Sequence, residues 1–361
     1  MKQYIIILTT LLLSCSVSKS QNQKNLTSEL NNTLNEYYNN KHFNGTVLVA
    51  KKGNIIYQGA FGYANFEKRI ENKIDTKFLI GSATKSFTAI AMMQAREREL
   101  VNLHVPIKTY IPELNDELGN LTLHLLMKNS SGLPVHLNRI TELQYRDISS
   151  KELIELYNTI KLSFKPGTKF DYSNLNYQLC ALVLERVTGK SYKEYIETKI
   201  FEPLGMKDSG IERTYEIATD KAFGYDLNGN EFVKADDNYM SYAMGGGDIY
   251  TTALDLLKWD SALYANELVI KESKQLLFNG LSNEFGGYGY GFKVKEYTRN
   301  SDINSTGKLV RHGGSMYGYI CNIHRYLDDE VIIIVLGNIR PYPTMEITMA
   351  IEKGLLAYRY L

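Results

Sequence analysis

Residues 78–85 read Phe78-Leu79-Ile80-Gly81-Ser82-Ala83-Thr84-Lys85. Helix-forming residues follow as far as Leu100, which predicts a helix that is buried at its start and more exposed at its charged end. Positions i and i+3 share a helical face, so the Ser82 hydroxyl and the Lys85 amine lie within side-chain reach. The pair is therefore a candidate nucleophile activated by an amine at a helix N-terminus. The alternative is an N-cap serine beside a solvated lysine.

A second candidate element is Tyr172-Ser173-Asn174, which follows a Pro-Gly turn and a short aromatic segment. We expect it to open a helix and to present Tyr172 and Asn174 at the helix start. A phenol has a pKa of about 10, and a nearby Lys85 cation favours its anion, which makes Tyr172 a feasible general base. Since the chain has 27 tyrosines, the tripeptide alone is better explained by a buried aromatic residue beside an Asn cap.

The third element, His312-Gly313-Gly314-Ser315, occurs once and precedes an expected strand. Paired glycines such as Gly313 and Gly314 let another chain or a ligand approach the backbone closely. The strand that follows offers edge N–H groups, which are the donors of oxyanion holes. In isolation, His312 is better explained as a strand-end histidine with a backbone partner.

Composition excludes several classes of protein. The 361 residues are 44% hydrophobic and 22% charged, which excludes a disordered or fibrous chain. The 41 basic and 40 acidic side chains leave a formal charge of +1, so no strong field directs the protein to nucleic acid or to an anionic membrane surface. The six histidines are scattered and no zinc-like spacing occurs, so we expect no metal site and no cofactor.

The N-terminus has the pattern of a secretory signal. A lysine precedes the apolar run Tyr4 to Leu13, which is too short to span a membrane in a helix, and Ser14-Cys15 follows. Because Leu12-Leu13-Ser14-Cys15 resembles a bacterial lipobox, we predict a lipoprotein signal peptide at 1–14, a lipid on Cys15 and a tether at 15–25. The alternative is an ordinary signal peptide with an incidental cysteine.

Hydrophobic periodicity predicts an α/β (α+β) protein with an antiparallel sheet flanked by helices and an inserted, mostly helical domain. The sheet domain is expected at 26–99 plus 240–361, and the insertion at 100–239. The elements on which this rests are a hairpin at 45–57, strands at 288–294, 319–326 and 330–336, and helices at 26–38, 179–187 and 344–358.

Cys180 and Cys321 stand 141 positions apart without a spacing signature. An oxidising envelope permits a disulfide between them, but buried free thiols are common, and we favour free thiols.

The three elements in this order, over about residues 40–340, resemble the serine beta-lactamase / penicillin-binding-protein-like superfamily and most closely its class C-type branch. That branch includes DD-peptidases, class C beta-lactamases, D-aminopeptidases and esterases. The resemblance also rests on these stretches: Thr46-Val47-Leu48-Val49 with Gly53, Phe61-Gly62-Tyr63-Ala64, Leu100-Val101-Asn102-Leu103 with Pro106, Tyr110-Ile111-Pro112, Leu125-Leu126 with Ser130-Ser131-Gly132-Leu133-Pro134, Gly245-Gly246-Gly247 with Asp255-Leu256 and Trp259, and Tyr288-Gly289-Tyr290-Gly291-Phe292.

The resemblance implies a beta-lactamase/transpeptidase-like fold and three catalytic residues. Ser82 is implied as the acylated nucleophile. Lys85 is implied to help strip and shuttle the serine proton. Tyr172 is implied as the general base of acylation, which returns the proton to the leaving group.

The resemblance also implies a substrate-binding set. Asn174 is expected to hydrogen-bond both the amide side chain of the substrate and the amine of Lys85. The N–H groups of Ser82 and Ser315, the latter beside Gly314, are expected to form the oxyanion hole. His312 replaces the lysine that many members carry, and so offers a weaker, pH-dependent contact to a substrate carboxylate.

We predict an envelope-anchored serine hydrolase that acts through an acyl-enzyme on D-amino-acid peptides or beta-lactam-like amides. The alternatives are an esterase on small acyl esters, ranked below the peptidase, and a penicillin-binding or sensing lipoprotein without turnover. The expected partners are a small-molecule or peptide substrate, including peptidoglycan fragments, and a membrane through the N-terminal lipid. The expected location is the periplasmic or cell-surface side of a bacterial envelope.

Overall fold

The computed structural model describes residues 2–41, 43–137, 140–213, 220–229, 231–281, 286–299, 305–342 and 344–361, with the backbone alone at 2–20, 41, 140 and 141. Its helices are α1 (Lys2–Lys41), α2 (Thr84–Glu97), α3 (Asp116–Gly119), α4 (Leu123–Met127), α5 (Ile140–Leu143), α6 (Ser150–Tyr157), α7 (Leu175–Thr188), α8 (Tyr192–Ile196), α9 (Ala253–Ala265), α10 (Lys271–Leu277) and α11 (Thr344–Ala357). Short 3-10 helices span Gly81–Ala83, Ile107–Thr109 and Ser241–Ala243, and a π-helical turn spans Glu197–Phe201.

The strands are β1 (Gly45–Lys51), β2 (Asn54–Phe61), β3 (Tyr63–Asn65), β4 (Ile70–Glu71), β5 (Phe78–Leu79), β6 (Gly210–Ile211), β7 (Tyr225–Asn228), β8 (Glu231–Lys234), β9 (Ile249–Thr251), β10 (Lys293–Thr298), β11 (Thr306–Met316), β12 (Tyr319–Tyr326), β13 (Val331–Gly337) and β14 (Ile339–Arg340). Six of them form the main sheet, in the order β10-β11-β12-β13-β1-β2, and every pair in it is antiparallel. The predicted fold class is therefore confirmed.

Both faces of the main sheet are buried. Along β1, Val47 and Val49 point into one apolar cluster while Leu48 and Ala50 point into another. Successive side chains of strand β13 also point into the two clusters in turn. Because both clusters are apolar, the sequence of β13 is an unbroken apolar run and does not alternate between apolar and polar residues. A sheet reads like this only when helices cover both of its faces.

Helices α1 and α11 cover one face of the sheet. Leu26, Leu30 and Leu34 of α1 pack with Ile351 and Leu355 of α11 against the sheet. The apolar cluster on the other face contains α2 and α9 and runs without interruption through residues of the range 100–239. The division into a sheet domain and an insertion stays a prediction, because one core serves both.

Several predicted elements are confirmed. The hairpin is β1-β2, the strand at 319–326 is β12, the apolar run after it is β13, and the last helix is α11. The helix predicted at 179–187 is α7, which ends at Gly189 in the left-handed conformation (φ +67°). Residues 26–38 lie within α1.

The strand predicted at 288–294 is wrong, because β10 begins only at Lys293. Gly287 and Gly291 have φ of +71° and +73°, values that an extended strand cannot contain. A side chain at 291 would bring a carbon within 2.6 Å of the Lys85 carbonyl oxygen, so the turn there needs glycine. The tyrosines of this segment are buried because the turn packs onto α2, not because they alternate along a strand.

Helix α1 starts at Lys2, so the backbone of the predicted signal and tether is helical. This leaves cleavage and lipid attachment at Cys15 as predictions. Among the residues that the structure describes, we find no helix with the length and apolar character needed to cross a membrane. Cys180 and Cys321 are free and buried, as favoured.

A buried ion pair joins α9 to the main sheet. The Arg325 guanidinium of β12 donates to the Asp260 carboxylate, and both residues are at most 3% exposed. Arg325 also lies over the ring of Trp259, 5.6 Å from its centroid, and 5.0 Å from that of Tyr264. The charge on Arg325 is thus neutralised within an aromatic enclosure.

We expect Asp260→Ala to lower the free energy of unfolding by about 3–5 kcal/mol, because it leaves the Arg325 charge buried without its partner. Urea unfolding followed by the fluorescence of Trp259, the one tryptophan of the chain, measures this loss. The double variant Asp260→Leu/Arg325→Met should recover most of the stability, since apolar groups replace both charges. Lys151→Ala, which removes an exposed pair with Glu155, is the control. Equal losses in the single and double variants would contradict the assignment.

Candidate active site

The nucleophile candidate lies on a tight turn between a strand and a helix. Gly81–Ala83 form one 3-10 turn after β5, and α2 starts at Thr84 rather than at Ser82. The cap position of α2 is Ala83, which makes no side-chain cap hydrogen bond. The Ser82 hydroxyl instead accepts a hydrogen bond from Lys85 Nζ at 3.1 Å. The interpretation as an N-cap serine with a solvated lysine is therefore not what the structure shows.

Lys85 is fully buried and its amine meets three oxygen atoms. Besides Ser82 Oγ, Nζ donates to Asn174 Oδ1 at 2.8 Å and to the Gly246 carbonyl at 2.7 Å. Burial lowers the pKa of Lys85 to about 7, against an opposing effect of the Asp248 carboxylate. Two of the three oxygens can only accept. A neutral Lys85 therefore donates its two N–H groups to Asn174 Oδ1 and the Gly246 carbonyl, and its lone pair faces the Ser82 hydroxyl.

Asn174 precedes α7 and makes no side-chain cap, because its side chain faces the site. Its Oδ1 binds Lys85, and its Nδ2 lies 3.3 Å from His136 Nδ1. The structure thus joins Ser82, Lys85 and Asn174 in one network, as the resemblance implied for Lys85 and Asn174. The predicted contact of Asn174 with a substrate amide stays a prediction.

Tyr172 faces the same network, with Lys85 Nζ 5.1 Å from the centroid of its ring. Burial raises the pKa of Tyr172 above its ordinary value, and a weak contact with the Ser82 hydroxyl lowers it only in part. The expected phenolate is therefore not favoured: burial outweighs the contact with Ser82, and the resting side chain is a neutral phenol. Its oxygen is buried and has no hydrogen-bond partner among the described residues, so it is an unused donor inside the site.

His312 lies within β11 and not at a strand end. Its Nδ1 donates to the Gly313 carbonyl at 2.6 Å, so Nε2 is left to accept from the Tyr288 hydroxyl at 2.9 Å. Burial lowers the pKa of His312 to about 3, helped by the charge of Lys85. This histidine is therefore neutral at physiological pH, which does not favour a cationic contact, and its contact with a substrate carboxylate stays a prediction.

Strand β11 approaches the nucleophile turn beyond the end of its neighbour. Its pairing with β10 stops at Lys293↔Arg311, and the segment from His312 onward lies against the 3-10 turn at 81–83 instead. A side-chain carbon on Gly314 would lie 2.8 Å from Ser82 N. One on Gly81, whose φ is +50°, would lie 3.1 Å from Ser315 N. Glycine is needed at both positions, and the main chains of Ser82 and Ser315 run side by side; the oxyanion hole itself stays a prediction.

Asn129, which the sequence pattern did not single out, helps to place Tyr172. Asn129 Oδ1 accepts from Ser173 N at 3.1 Å and from Asn176 Nδ2 at 2.8 Å, and its carbonyl accepts from Asp171 N at 2.8 Å. Asn129 has a φ of +53°, which asparagine tolerates better than most residues. The asparagine before Ser-Ser-Gly was the available signal.

In the sequence, the tri-glycine stretch 245–247 indicates only the family resemblance. The structure shows that its middle carbonyl, Gly246 O, is a direct acceptor for Lys85. Asp248, the next residue after the glycines, is a fully buried carboxylate in the same electrostatic environment. Nothing local in the sequence indicates either contact, because about 160 residues separate them from Lys85.

A cavity of about 240 Å³ opens beside the network. Its volume is below the usual range of drug-sized pockets, so it suits a small ligand. The single guanidinium in its wall, Arg340, is already 2.9 Å from the Asp226 carboxylate. The lining residues are His136, Leu137, Asn174, Leu175, Gln178, Tyr242, Ala243, Gly246, Ser315, Met316, Tyr317 and Arg340. Within the described ranges, no group of three His, Cys, Asp or Glu side chains is placed to hold a metal ion.

Comparison with known proteins gives relatives along nearly the whole chain. A putative penicillin-binding protein, PbpX of Bacillus subtilis, is 30% identical over 323 residues, covering 90% of this chain and 78% of its own. The teichoic acid D-alanine hydrolase of Staphylococcus aureus is 30% identical over 321 residues, covering 85% and 73%.

Two solved structures have the same fold. FmtA from Staphylococcus aureus superposes with a TM-score of 0.74 at 26% identity, covering 91% of this chain and 89% of its own. The D-amino acid amidase from Ochrobactrum anthropi reaches a TM-score of 0.77, with coverage of 94% and 100%, and its 20% identity shows the fold alone. The beta-lactamase family model matches residues 30–357. The resemblance is confirmed, and the chain belongs to the beta-lactamase family.

Proposed function

We propose that this protein is a serine hydrolase that cleaves small acyl esters and amides through an acyl-enzyme on Ser82. The observation that carries the proposal is the buried amine of Lys85, which lies 3.1 Å from Ser82 Oγ and has a pKa of about 7. An amine poised near neutral pH is an effective general base for a serine hydroxyl. The hydrolases among the relatives support the same reaction class.

In acylation, the lone pair of Lys85 takes the Ser82 proton while Oγ bonds to the substrate carbonyl carbon. The carbonyl oxygen becomes an oxyanion that faces the main-chain N–H groups of Ser82 and Ser315. Tyr172 then donates its phenolic proton to the leaving group as the bond to that group breaks, and regains a proton from the Lys85 ammonium. Water repeats these steps on the acyl-enzyme and restores Ser82.

Neutral His312 bears on the substrate class. A substrate with a free carboxylate on its leaving group, such as a DD-peptide or a penicillin, finds no cation at position 312. Esters and amides without that carboxylate need no cation at this position. A neutral His312 therefore favours them over the DD-peptides and peptidoglycan fragments expected first. Among the relatives, one is named a teichoic acid D-alanine hydrolase and a structural neighbour a D-amino acid amidase. We therefore propose D-amino-acyl esters or amides as the substrates.

The test is intact-mass measurement after incubation with D-alanine methyl ester, D-alaninamide, a D-Ala-D-Ala peptide and a penicillin. We expect a mass increase of one D-alanyl group with the first two, transient because the adduct turns over. Ser82→Ala should abolish the adduct and lower turnover by at least about a thousandfold. Ser163→Ala, at an exposed serine, is the control.

Other results with these four compounds support or refute specific parts of the proposal. A stable penicillin adduct without turnover of any compound supports a penicillin-binding lipoprotein. Fastest acylation by the D-Ala-D-Ala peptide refutes the carboxylate argument. Labelling that persists in Ser82→Ala refutes the nucleophile.

The value of kcat/KM should increase as pH rises through about 7, because Lys85 accepts a proton only when it is neutral. His312, with a pKa of about 3, contributes no ionisation near neutral pH. The initial rate of hydrolysis of an uncharged ester over a pH series measures the midpoint. His312→Gln should leave this midpoint in place, whatever it does to the rate. A midpoint that moves with His312→Gln would assign the limb to the histidine.

We also propose that the protein is lipid-anchored in a bacterial envelope through Cys15. The support is the order of cation, short apolar run and Leu12-Leu13-Ser14-Cys15. Cells that express the full chain should incorporate an alkyne fatty acid into it and retain it in the membrane fraction. Cys15→Ser should remove both signals. Membrane retention without labelling in the wild type, or labelling that survives the substitution, contradicts the anchor.

A further inference from the structure

Asp248 is a buried carboxylate with an unfinished set of contacts. It follows the tri-glycine stretch 245–247, lies just before β9 and is fully buried. Its Oδ1 accepts from Gly245 N at 3.0 Å, while its Oδ2 is buried without a hydrogen-bond partner among the described residues. A carboxylate held this way is costly. The single hydrogen bond to Gly245 does not explain its presence, because an amide side chain makes the same bond.

The surroundings of Lys85 show what the carboxylate faces. The three oxygens around Nζ belong to neutral groups. Among the residues that the structure describes, the titratable groups in electrostatic contact with Lys85 are His136, His312 and Asp248; a cationic form of either histidine opposes a charged Lys85. The ring of Tyr172 contributes only its face. Asp248 therefore supplies the negative charge that stabilises an ammonium at Lys85.

Other groups act on Asp248 from the elements around it. Burial raises its pKa to about 7, and Arg213 and Lys85 both oppose this. Arg213 is shared, since its guanidinium also lies 3.7 Å from the Glu185 carboxylate and 3.0 Å from Met244 Sδ. The hydroxyl of Tyr192 on α8 also feels the carboxylate. Asp248 is thus only partly compensated by Arg213, and its negative charge is available to Lys85 above about pH 7.

We propose that Asp248 is a positioning residue that acts through Lys85: its buried charge sets the pH range in which the amine takes the Ser82 proton. The glycine stretch holds the carboxylate and the amine near each other, because Gly245 N donates to Asp248 and Gly246 O accepts from Lys85. Without the carboxylate, the desolvated amine loses its proton at lower pH. With it, the amine holds its proton up to a higher pH and can return a proton after the acyl transfer. This inference rests on the proposed function of Lys85 as the base.

The experiment compares the wild type with Asp248→Asn, which keeps an acceptor for Gly245 N but removes the charge. The protein is labelled at lysine Cε with ¹³C, and the Lys85 resonance is identified by its loss in Lys85→Arg. We expect the titration midpoint of Lys85 to fall by about one pH unit in Asp248→Asn, the lower end of what a nearby opposite charge produces. The acidic limb of kcat/KM should move by the same amount.

Asp255→Asn is the matched control. Asp255 is a buried carboxylate on α9 that accepts from Asp208 N and Ser209 Oγ, and so it anchors a loop without facing the amine. It should lower stability and leave the Lys85 midpoint unchanged. A midpoint that stays in place in Asp248→Asn overturns the proposal and leaves Asp248 a loop anchor. If the wild type turns over no substrate, the proposed function fails, but the titration of Lys85 still decides the role of Asp248.

Discussion

The amine of Lys85 donates to oxygens from three separate parts of the chain: the turn before α2, the start of α7 and the glycine stretch before β9. Burying an amine is unfavourable unless each of its hydrogen bonds is satisfied. These parts must therefore arrive together, and the layers of helix and sheet around them serve that purpose. The same burial that satisfies the amine also brings its pKa near 7, so one packing constraint produces both the geometry and the reactivity.

Close backbone approach is the second requirement of the site. Strand β11 reaches the nucleophile turn because Gly81 and Gly314 present no side chains at the crossing. Gly291 does the same where the segment after α10 packs onto the carbonyl of Lys85. The glycines are thus spread over distant parts of the sequence, yet they meet around one short helical turn. Their common function is to let main chains, rather than side chains, form the wall of the site.

Those parts of the fold and of the candidate site that depend on neighbouring residues in the chain could be predicted from the sequence. The spacing of Ser82 and Lys85, the helix start after Asn174 and the apolar run of β13 each follow from periodicity or turn chemistry. The charge states of Tyr172 and His312 were not predictable, because they depend on burial by elements far away in the chain. Asn129 and Asp248 were missed for the same reason. The strand at 288–292 was mistaken because alternating aromatics mimic a strand when glycines between them make turns.

One continuous apolar core lies beneath both the sheet and the helices of the range 100–239. Two lobes that share their interior cannot rotate apart without exposing it to water, and that exposure is strongly unfavourable. The shared core therefore opposes a hinge motion between the sheet and the helices of the range 100–239.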